Sequence, residues 1–243
     1  MMFRWAISST GKIAADFSHA VRQLPGHEVV AVVSRSREAA SRFVSEHCET
    51  TTPGKKTSPG PPIKACAAIG ELPAEVDAVY VAGPNDAHFA AVKALLEAKR
   101  AVLCEKSLAT TVAEVETLVE TALKNDTFLM EGMWTRCFPA TAKARELLRA
   151  GRIGDVVAVS AEFGYNIANG CPASLRGDPA TGGMTLDIGI YMLEKALLAY
   201  PTSTFDCASV AATAVYGVDD GVDLSVAAGL RFEKKGKKQQ KPK

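Results

Sequence analysis

Short β-branched runs alternate with amphipathic helical patterns over the first two thirds of the chain, and this alternation constrains the fold more than any other feature. Two strands joined by a helix lie parallel in one sheet. We predict strands at Phe3–Ser8, 28–34, 78–82, Ala101–Cys104 and 128–131, with helices at 13–24, 36–47, 88–98 and 111–124. The pattern predicts an α/β fold built on a doubly wound parallel sheet.

The pattern changes after a helix that we predict at 139–150. It continues as a strand at 156–163, a helix at 183–200 and two long strands at 205–215 and 224–232. Strands that follow one another without a helix between them indicate an α+β domain with a mostly antiparallel sheet. We therefore divide the chain into a first domain at 1–135, a second domain at 136–233 and a basic disordered tail at 234–243.

Charge and composition exclude several classes of function. The net charge is +1, but six of the last ten residues are lysine, so the remainder sums to −5 and indicates no nucleic-acid partner. No apolar run reaches membrane-spanning length and the start of the chain lacks a signal-peptide pattern, which predicts a cytoplasmic protein without membrane contact. Six cysteines without a C-x-x-C pair and four histidines without zinc-ligand spacing indicate reduced thiols and no metal.

The turn between the first strand and the first helix reads STGKIA and follows a G-x-G-x-x-G/A pattern whose first glycine is replaced by serine. A glycine in such a turn lets the backbone approach a pyrophosphate, and the helix N-terminus offers N–H groups to its oxygens. Any short βα turn favours small residues, but the position after the first strand favours dinucleotide binding. The serine is tolerated if its φ is negative. We predict cofactor contacts from Ser9, Thr10, Gly11, Lys12 and Ile13.

The end of the second strand indicates which dinucleotide binds. Enzymes that use NAD place an acidic residue there for the ribose 2′-hydroxyl, whereas this chain has Ser34, Arg35 and, two residues further, Arg37. A guanidinium forms charge-assisted hydrogen bonds with a 2′-phosphate, so these three residues predict NADP as the cofactor. The alternative interpretation is an exposed arginine at a helix start.

Two further strand ends carry polar residues. The sequence GPNDAH follows the strand at 78–82, and we predict cofactor contacts from Pro84, Asn85 and His88, although Asn85 or its neighbour equally suits a helix cap. Glu105 and Lys106 follow the apolar strand Ala101–Cys104. Ligands of open α/β sheets bind at the carboxyl ends of the strands, so this charged pair is placed to meet a cofactor or substrate.

Several motifs together resemble the Gfo/Idh/MocA family of NAD(P)-dependent oxidoreductases. They are GPN with His88, CEK ending at Lys106, GGMTLDIGIY ending at Tyr191, and the stretches FLMEGMWTRCFPA and EFGYNI. The resemblance extends from about Phe3 to Phe232 and implies a Rossmann domain that binds NADP, followed by a substrate domain. It implies hydride transfer between the nicotinamide and the carbinol carbon of a trans-dihydrodiol or of an aldose such as D-xylose.

The resemblance implies roles for individual residues. Lys106 takes the position beside the nicotinamide, Tyr191 is the acid/base, and Asp187 lies one helical turn before it. Tyrosine titrates near 10 in water, so a neighbouring cation such as Lys106 is needed for it to act as a base near neutral pH. Trp134 and Arg136 are expected at the cofactor, and Tyr165, Asn166 and Asp187 at the substrate.

The chain departs from the family pattern at two points. Ser107 replaces the proline of the family's E-K-P motif, so we expect Lys106 to be held less firmly. The family also implies a homodimer and a sheet that continues for roughly a hundred residues past the equivalent of Phe232, so we expect an incomplete second domain. Two alternative hypotheses follow: a catalytically impaired nucleotide-binding protein, or a family dehydrogenase acting on a cyclic polyol.

Overall fold

The computed structural model describes residues 2–48, 62–164, 182–218 and 221–236, and the chain divides into two units, Met1–Gly132 and Met133–Lys243. Among the described residues, the first unit contains a six-stranded parallel sheet and the second a two-stranded antiparallel sheet. This confirms the predicted fold class, an α/β unit followed by a unit with an antiparallel sheet.

The sheet of the first unit has the strand order of a dinucleotide-binding fold. Its strands are β1 (Phe3–Ser8), β2 (His27–Val33), β3 (Lys64–Cys66), β4 (Ala78–Val81), β5 (Ala101–Cys104) and β6 (Leu129–Glu131). Its α-helices are α1 (Lys12–Val21), α2 (Arg37–Phe43), α3 (Asn85–Glu97) and α4 (Val112–Lys124). The spatial order β3-β2-β1-β4-β5-β6 reverses direction next to β1, and ligands of such sheets bind at that point.

Helices cover both faces of the sheet. All four residues of β4 are buried, as expected for a central parallel strand. Val79 and Val81 lie in the core that contains Leu95 of α3 and Leu118 of α4, whereas Tyr80 lies in the core formed with α1 and α2. Successive side chains of a strand point to opposite faces, so one apolar strand supplies both cores.

Side-chain caps begin two helices of the first unit. The Ser36 hydroxyl accepts a hydrogen bond from the Ala39 amide at 3.1 Å and caps the start of α2. Thr111 and Glu114 form a reciprocal capping box at the start of α4. The three-residue strand β3 was not predicted, because a run of this length carries no periodic signal.

The second unit contains helices and one strand pair. Its elements are α5 (Pro139–Arg149), α6 (Ile190–Ala199), β7 (Phe205–Tyr216) and β8 (Asp223–Lys234), with a 3₁₀ turn at Trp134–Cys137 and a π-helical turn at Thr185–Gly189. β7 and β8 pair antiparallel along their whole length and expose most of their side chains.

Two predictions for the second unit need correction. The predicted strand at 156–163 is wrong, since these residues are irregular and mostly exposed. A strand requires a hydrogen-bonded partner, and in the described part of the chain β7 and β8 pair with each other alone. The predicted tail also begins too early, because β8 extends to Lys234; residues 237–243 lie outside the described residues.

Among the described residues, none of the helices is long and apolar enough to cross a membrane.

Candidate functional site

The carboxyl ends of five strands are aligned across the first unit. Ser8 at the end of β1 pairs with Val33 of β2 and Val81 of β4. Val81 pairs with Cys104 of β5, and Cys104 with Glu131 of β6. The loops that follow these strands therefore begin along a single edge of the sheet. The predicted phosphate turn, the predicted NADP residues and the Glu105–Lys106 pair all lie along this edge.

The phosphate turn departs from expectation at its first residue. Ser9 has a φ of 107°, so the condition of a negative φ is not met, and serine here adopts a conformation that glycine favours. Its backbone amide donates to the Val33 carbonyl at 2.9 Å, which fixes the turn against β2. A Cβ added to Gly11 would meet the Ser9 hydroxyl at 3.9 Å, an ordinary contact, so packing alone does not require glycine at that position.

The start of α1 suits an anion. Gly11 is the N-cap residue, and none of the described side chains caps this end of the helix. No acidic residue occupies the first turn, and Lys12 at its start is exposed. Backbone N–H groups and the helix dipole favour negative charge at such an end. The residues present therefore fit a pyrophosphate group.

The two predicted 2′-phosphate arginines have different environments. The Arg37 guanidinium donates to the Ala65 carbonyl at 2.7 Å and pairs with the Glu71 carboxylate at 2.7 Å. Its hydrogen bonds therefore hold β3 and the turn after it, and a contact of Arg37 with the cofactor stays a prediction. Arg35 is exposed beside Ser34, directly after β2, and its contact with a 2′-phosphate stays a prediction.

Asn85 and His88, two residues predicted at the cofactor, lie in the helix that follows the loop after β4. Helix α3 begins at Asn85 with Pro84 as its N-cap residue, so Asn85 does not cap the helix. His88 is 0% exposed, and its ring nitrogens lie 2.7 Å from the Ser107 carbonyl oxygen and 2.9 Å from that of Gly83. His88 therefore joins two loops of the strand-end edge, and its contact with the cofactor stays a prediction.

Side chains from three neighbouring elements hold the loop that carries Lys106. Besides the His88 contact, the Tyr80 hydroxyl of β4 donates to Glu105 Oε1 at 2.6 Å. The Leu108 amide donates to Glu131 Oε1 at 2.9 Å. The Lys106–Ser107 peptide bond is cis. These contacts hold the loop in which Ser107 replaces the proline.

The sequence interpretation missed Tyr80 and Glu131 as parts of this edge. Tyr80 is the only polar residue in the four-residue strand AVYV, and Glu131 ends the apolar strand LME. A polar side chain inside a buried strand needs a partner, which is the signal that marks Tyr80; Glu131 is marked by its position at the end of a strand.

Burial shifts the acid–base behaviour of three residues on or near this edge. Burial, and then the hydrogen bond to Glu105, raises the pKa of Tyr80 above its ordinary value. Burial, followed by the charge of Glu105, raises the pKa of the Cys104 thiol, and burial also raises that of Cys66. Tyr80 therefore acts as a hydrogen-bond donor and both thiols stay protonated and unreactive.

Native-state labelling with iodoacetamide at pH 8 tests these thiols. We expect Cys137 and Cys207, which are exposed, to be alkylated, while Cys66 and Cys104 react only after denaturation, because the thiolate is the reactive form. Peptide mass spectrometry gives the extent of labelling at each cysteine. Labelling of Cys104 at the rate of Cys137 would contradict the assigned burial.

The second unit brings two predicted residues, Trp134 and Tyr191, together with Phe163. The indole N–H of Trp134 donates to the Tyr191 hydroxyl at 2.8 Å, and the ring of Phe163 lies 5.9 Å from that of Tyr191. Tyr191 is half-buried at the start of α6. Trp134, predicted at the cofactor, thus contacts the candidate acid/base within its own unit. Tyr165 and Asn166, predicted at the substrate, lie outside the described residues.

Arg136 is placed differently from Trp134. Its backbone carbonyl accepts a hydrogen bond from Arg145 at 3.2 Å, and its side chain lines a cavity of about 550 Å³ together with Arg145 and Arg149 of α5. The contacts described for Arg136 therefore lie within the second unit.

The helix that carries Asp187 and Tyr191 is held at its start by Asp223 of β8. The Asp223 carboxylate accepts hydrogen bonds from the Thr185 amide at 2.7 Å and the Thr185 hydroxyl at 2.8 Å. Gly183 has a φ of +93°, and a Cβ at this position would overlap the Asp223 carboxylate. Gly183, the second glycine of the GGMTLDIGIY motif, is therefore required for the contact between Asp223 and Thr185. Asp187 lies in a π-helical turn, a feature frequent at functional sites.

The sheet order, the aligned strand ends and the uncapped start of α1 define a dinucleotide-binding domain of the Rossmann class. Residues 3–133 match the description "Oxidoreductase family, NAD-binding Rossmann fold", and residues 141–238 match the GFO/IDH/MocA C-terminal domain. The chain belongs to the GFO/IDH/MocA family of oxidoreductases, which confirms the resemblance found in its motifs.

Relatives named trans-1,2-dihydrobenzene-1,2-diol dehydrogenase are similar to most of the chain. The Danio rerio protein is 35% identical over 234 residues, which are 96% of this chain and 65% of the relative. The human protein is 37% identical over 198 residues, which are 80% of this chain and 55% of the relative. The chain therefore spans less than two thirds of the length of these relatives.

Solved structures have the same fold. An aldose-aldose oxidoreductase from Caulobacter crescentus, complexed with glycerol, aligns with a TM-score of 0.78 and 25% identity over 96% of this chain and 68% of that chain. The 3-ketoreductase KijD10 from Actinomadura kijaniata, in complex with NADP and TDP-benzene, aligns with a TM-score of 0.77 and 26% identity over 95% of this chain and 66% of that chain.

Proposed function

We propose that this protein is an NADP-dependent dehydrogenase that moves a hydride between the nicotinamide and the carbinol carbon of a trans-dihydrodiol or of an aldose such as D-xylose. The observation that carries the proposal is the position of Lys106 on the edge formed by the aligned strand ends, together with the open N-terminus of α1. The names of the relatives support the substrate class.

Tyr191 and Lys106 have the main roles in the proposed reaction. In the oxidation direction the Tyr191 oxygen accepts the proton of the substrate hydroxyl, and the hydride leaves the carbon that bears this hydroxyl, so that a carbonyl forms. The ammonium of Lys106 stabilises the negative charge that develops on oxygen. Asp187, one helical turn before Tyr191, binds a second substrate hydroxyl. When bound, NADP supplies or takes up the hydride at its nicotinamide.

Turnover of the purified chain tests this proposal. We expect NADPH formation, followed by its absorbance, when the protein is mixed with NADP and either D-xylose or a trans-dihydrodiol. No turnover with any member of a panel of aldoses, dihydrodiols and cyclic polyols would contradict it. Turnover with a cyclic polyol alone would favour a family dehydrogenase of different substrate class.

A second candidate function is nucleotide binding without catalysis. It requires only the open N-terminus of α1 and the aligned strand ends, all of which lie in the first unit. This hypothesis predicts that NADPH fluorescence changes on binding while no polyol is oxidised. The family also implies a homodimer in the cytoplasm, and sedimentation analysis of the purified chain tests the dimer.

Arg35 is the residue on which we expect the preference for NADP to depend. The change Arg35→Ala removes the exposed guanidinium at the end of β2 and is expected to weaken NADPH binding about 10- to 100-fold, as for the loss of a charge-assisted hydrogen bond, with NADH binding unchanged. Isothermal titration with both cofactors measures the change. Arg42→Ala, on the exposed side of α2, is the matched control. Equal weakening of NADH and NADPH binding would exclude a 2′-phosphate contact.

A further inference from the structure

Tyr80 is an unusual residue for its position. It lies in the centre of the buried strand β4, between Val79 and Val81, and is 3% exposed. Its ring stacks on Phe17 of α1, with ring centroids 3.8 Å apart and an interplanar angle of 19°. Apolar side chains would fill this core equally well, so its hydroxyl calls for a separate explanation.

The Tyr80 hydroxyl is directed at the charged pair on the strand-end edge. It donates to Glu105 Oε1 at 2.6 Å, while Glu105 Oε2 accepts the backbone amide of Lys106 at 3.3 Å. Both carboxylate oxygens are therefore engaged, one by β4 and one by the loop itself. A hydrogen bond of this length to a carboxylate is among the stronger ones in proteins.

A glycine borders the Glu105 carboxylate. A Cβ added to Gly132, which follows β6, would lie in ordinary contact with Glu105 Oε1 at 3.4 Å, but tightly against the Cys104 carbonyl oxygen at 3.1 Å. The Gly132 amide donates to the same carbonyl at 2.6 Å. The close approach of the chain after β6 to the end of β5 therefore favours glycine beside Glu105.

We infer that Tyr80 is a positioning residue for Lys106: its hydroxyl fixes the Glu105 carboxylate, which fixes the backbone of Lys106, and its ring ties this loop to Phe17 of α1. α1 is the helix whose N-terminus follows the phosphate turn, so one side chain links the two parts of the edge. Tyr80 acts through Glu105 and exchanges no proton, since burial and the Glu105 hydrogen bond raise its pKa. The functional consequence rests on the proposed role of Lys106; the loop contact itself does not.

The first experiment is the change Tyr80→Phe, which removes the hydroxyl and keeps the stacked ring. In the cofactor-free protein we expect amide hydrogen exchange at Lys106 to become about tenfold faster, because the carboxylate that accepts this amide is no longer held. The amide of Leu108, held by Glu131, is expected to keep its protection. Tyr200→Phe is the matched control, because the Tyr200 hydroxyl donates to a backbone carbonyl in the second unit.

Kinetics give the second measurement. We expect Tyr80→Phe to lower kcat about tenfold while the Kd for NADPH changes less than twofold, a separation that general loss of stability would not produce. If Tyr80 acts only through Glu105, the double variant Tyr80→Phe/Glu105→Ala is expected to match Glu105→Ala within about twofold. If the loss of kcat in the double variant equalled the product of the losses in the two single variants, the inference would be overturned.

The two measurements separate the inference from the proposed function. Unchanged exchange at Lys106 in Tyr80→Phe overturns the positioning role, whatever the activity of the wild type. Faster exchange with no turnover by the wild type upholds the contact and contradicts the proposed function instead. Should Tyr80→Phe not fold, exchange in Glu105→Ala, a change at a partly exposed site, decides the same point: unaltered protection at Lys106 overturns the inference.

Discussion

Replacing Tyr191 by phenylalanine is expected to lower kcat about 10²- to 10⁴-fold, the contribution usual for a general acid/base. Phenylalanine keeps the ring beside Phe163 and removes only the hydroxyl that accepts the Trp134 N–H at 2.8 Å. Trp134 is 53% exposed, so water replaces the lost partner and little stability is lost. Stopped-flow absorbance of NADPH measures the hydride step, and fluorescence measures NADPH binding, which we expect to be unchanged.

The control for this change is Tyr216→Phe, because Tyr216 is 61% exposed on β7 and loses the same hydroxyl. We expect it to have wild-type turnover. Turnover of Tyr191→Phe within about threefold of the wild type would remove Tyr191 from the reaction. A parallel loss of NADPH binding would instead indicate that Tyr191 supports the fold of its unit.

Lys106→Ala is expected to cost about 10²- to 10³-fold in kcat, as for the removal of one group that stabilises developing charge on oxygen. Lys106 is half-buried at the carboxyl end of β5, in a loop that side chains of β4, β6 and α3 hold in place. Its charge is therefore positioned before the reaction begins. Single-turnover kinetics at saturating NADP separates this loss from any change in cofactor affinity.

The matched control is Lys93→Ala, which removes an exposed lysine paired with Glu97 on α3. Exposed pairs of this kind contribute little to stability, so we expect turnover to be unchanged. If Lys106→Ala and Lys93→Ala were equally active, the charge at the strand end would have no part in the reaction. Loss of turnover in both would indicate damage to the first unit as a whole.

Much of the first unit can be predicted from its sequence. β1 and β5 have the predicted bounds, and the caps of α2 and α4 are formed by Ser36 and Thr111 near the predicted helix starts. Hydrophobic periodicity and helix caps depend on residues that are close together in the chain, so the sequence predicts them well. The strand predicted at 156–163 was wrong because strand formation depends on a partner that no local pattern supplies.

At the strand-end edge, the positions of some residues could be predicted from the sequence, whereas the contacts of others could not. Position after a strand marked Lys106, Arg35 and the turn around Gly11 as site candidates, since parallel strands place their ends together. The partners of Arg37 and His88 depended on residues 34 and 19 positions away in the chain. Both residues satisfy buried or partly buried polar groups of the protein, and the sequence alone did not predict these contacts.

The sequence by itself determined the class of fold, the family and the loops from which the site is built, because these follow from local periodicity and from motifs at strand ends. Tertiary structure alone decided which polar side chains hold those loops, as in the bond between Tyr80 and Glu105, 25 residues apart. A buried hydroxyl or imidazole takes whichever partner the packing of distant elements brings within hydrogen-bond distance, and that choice has no local signature in the chain.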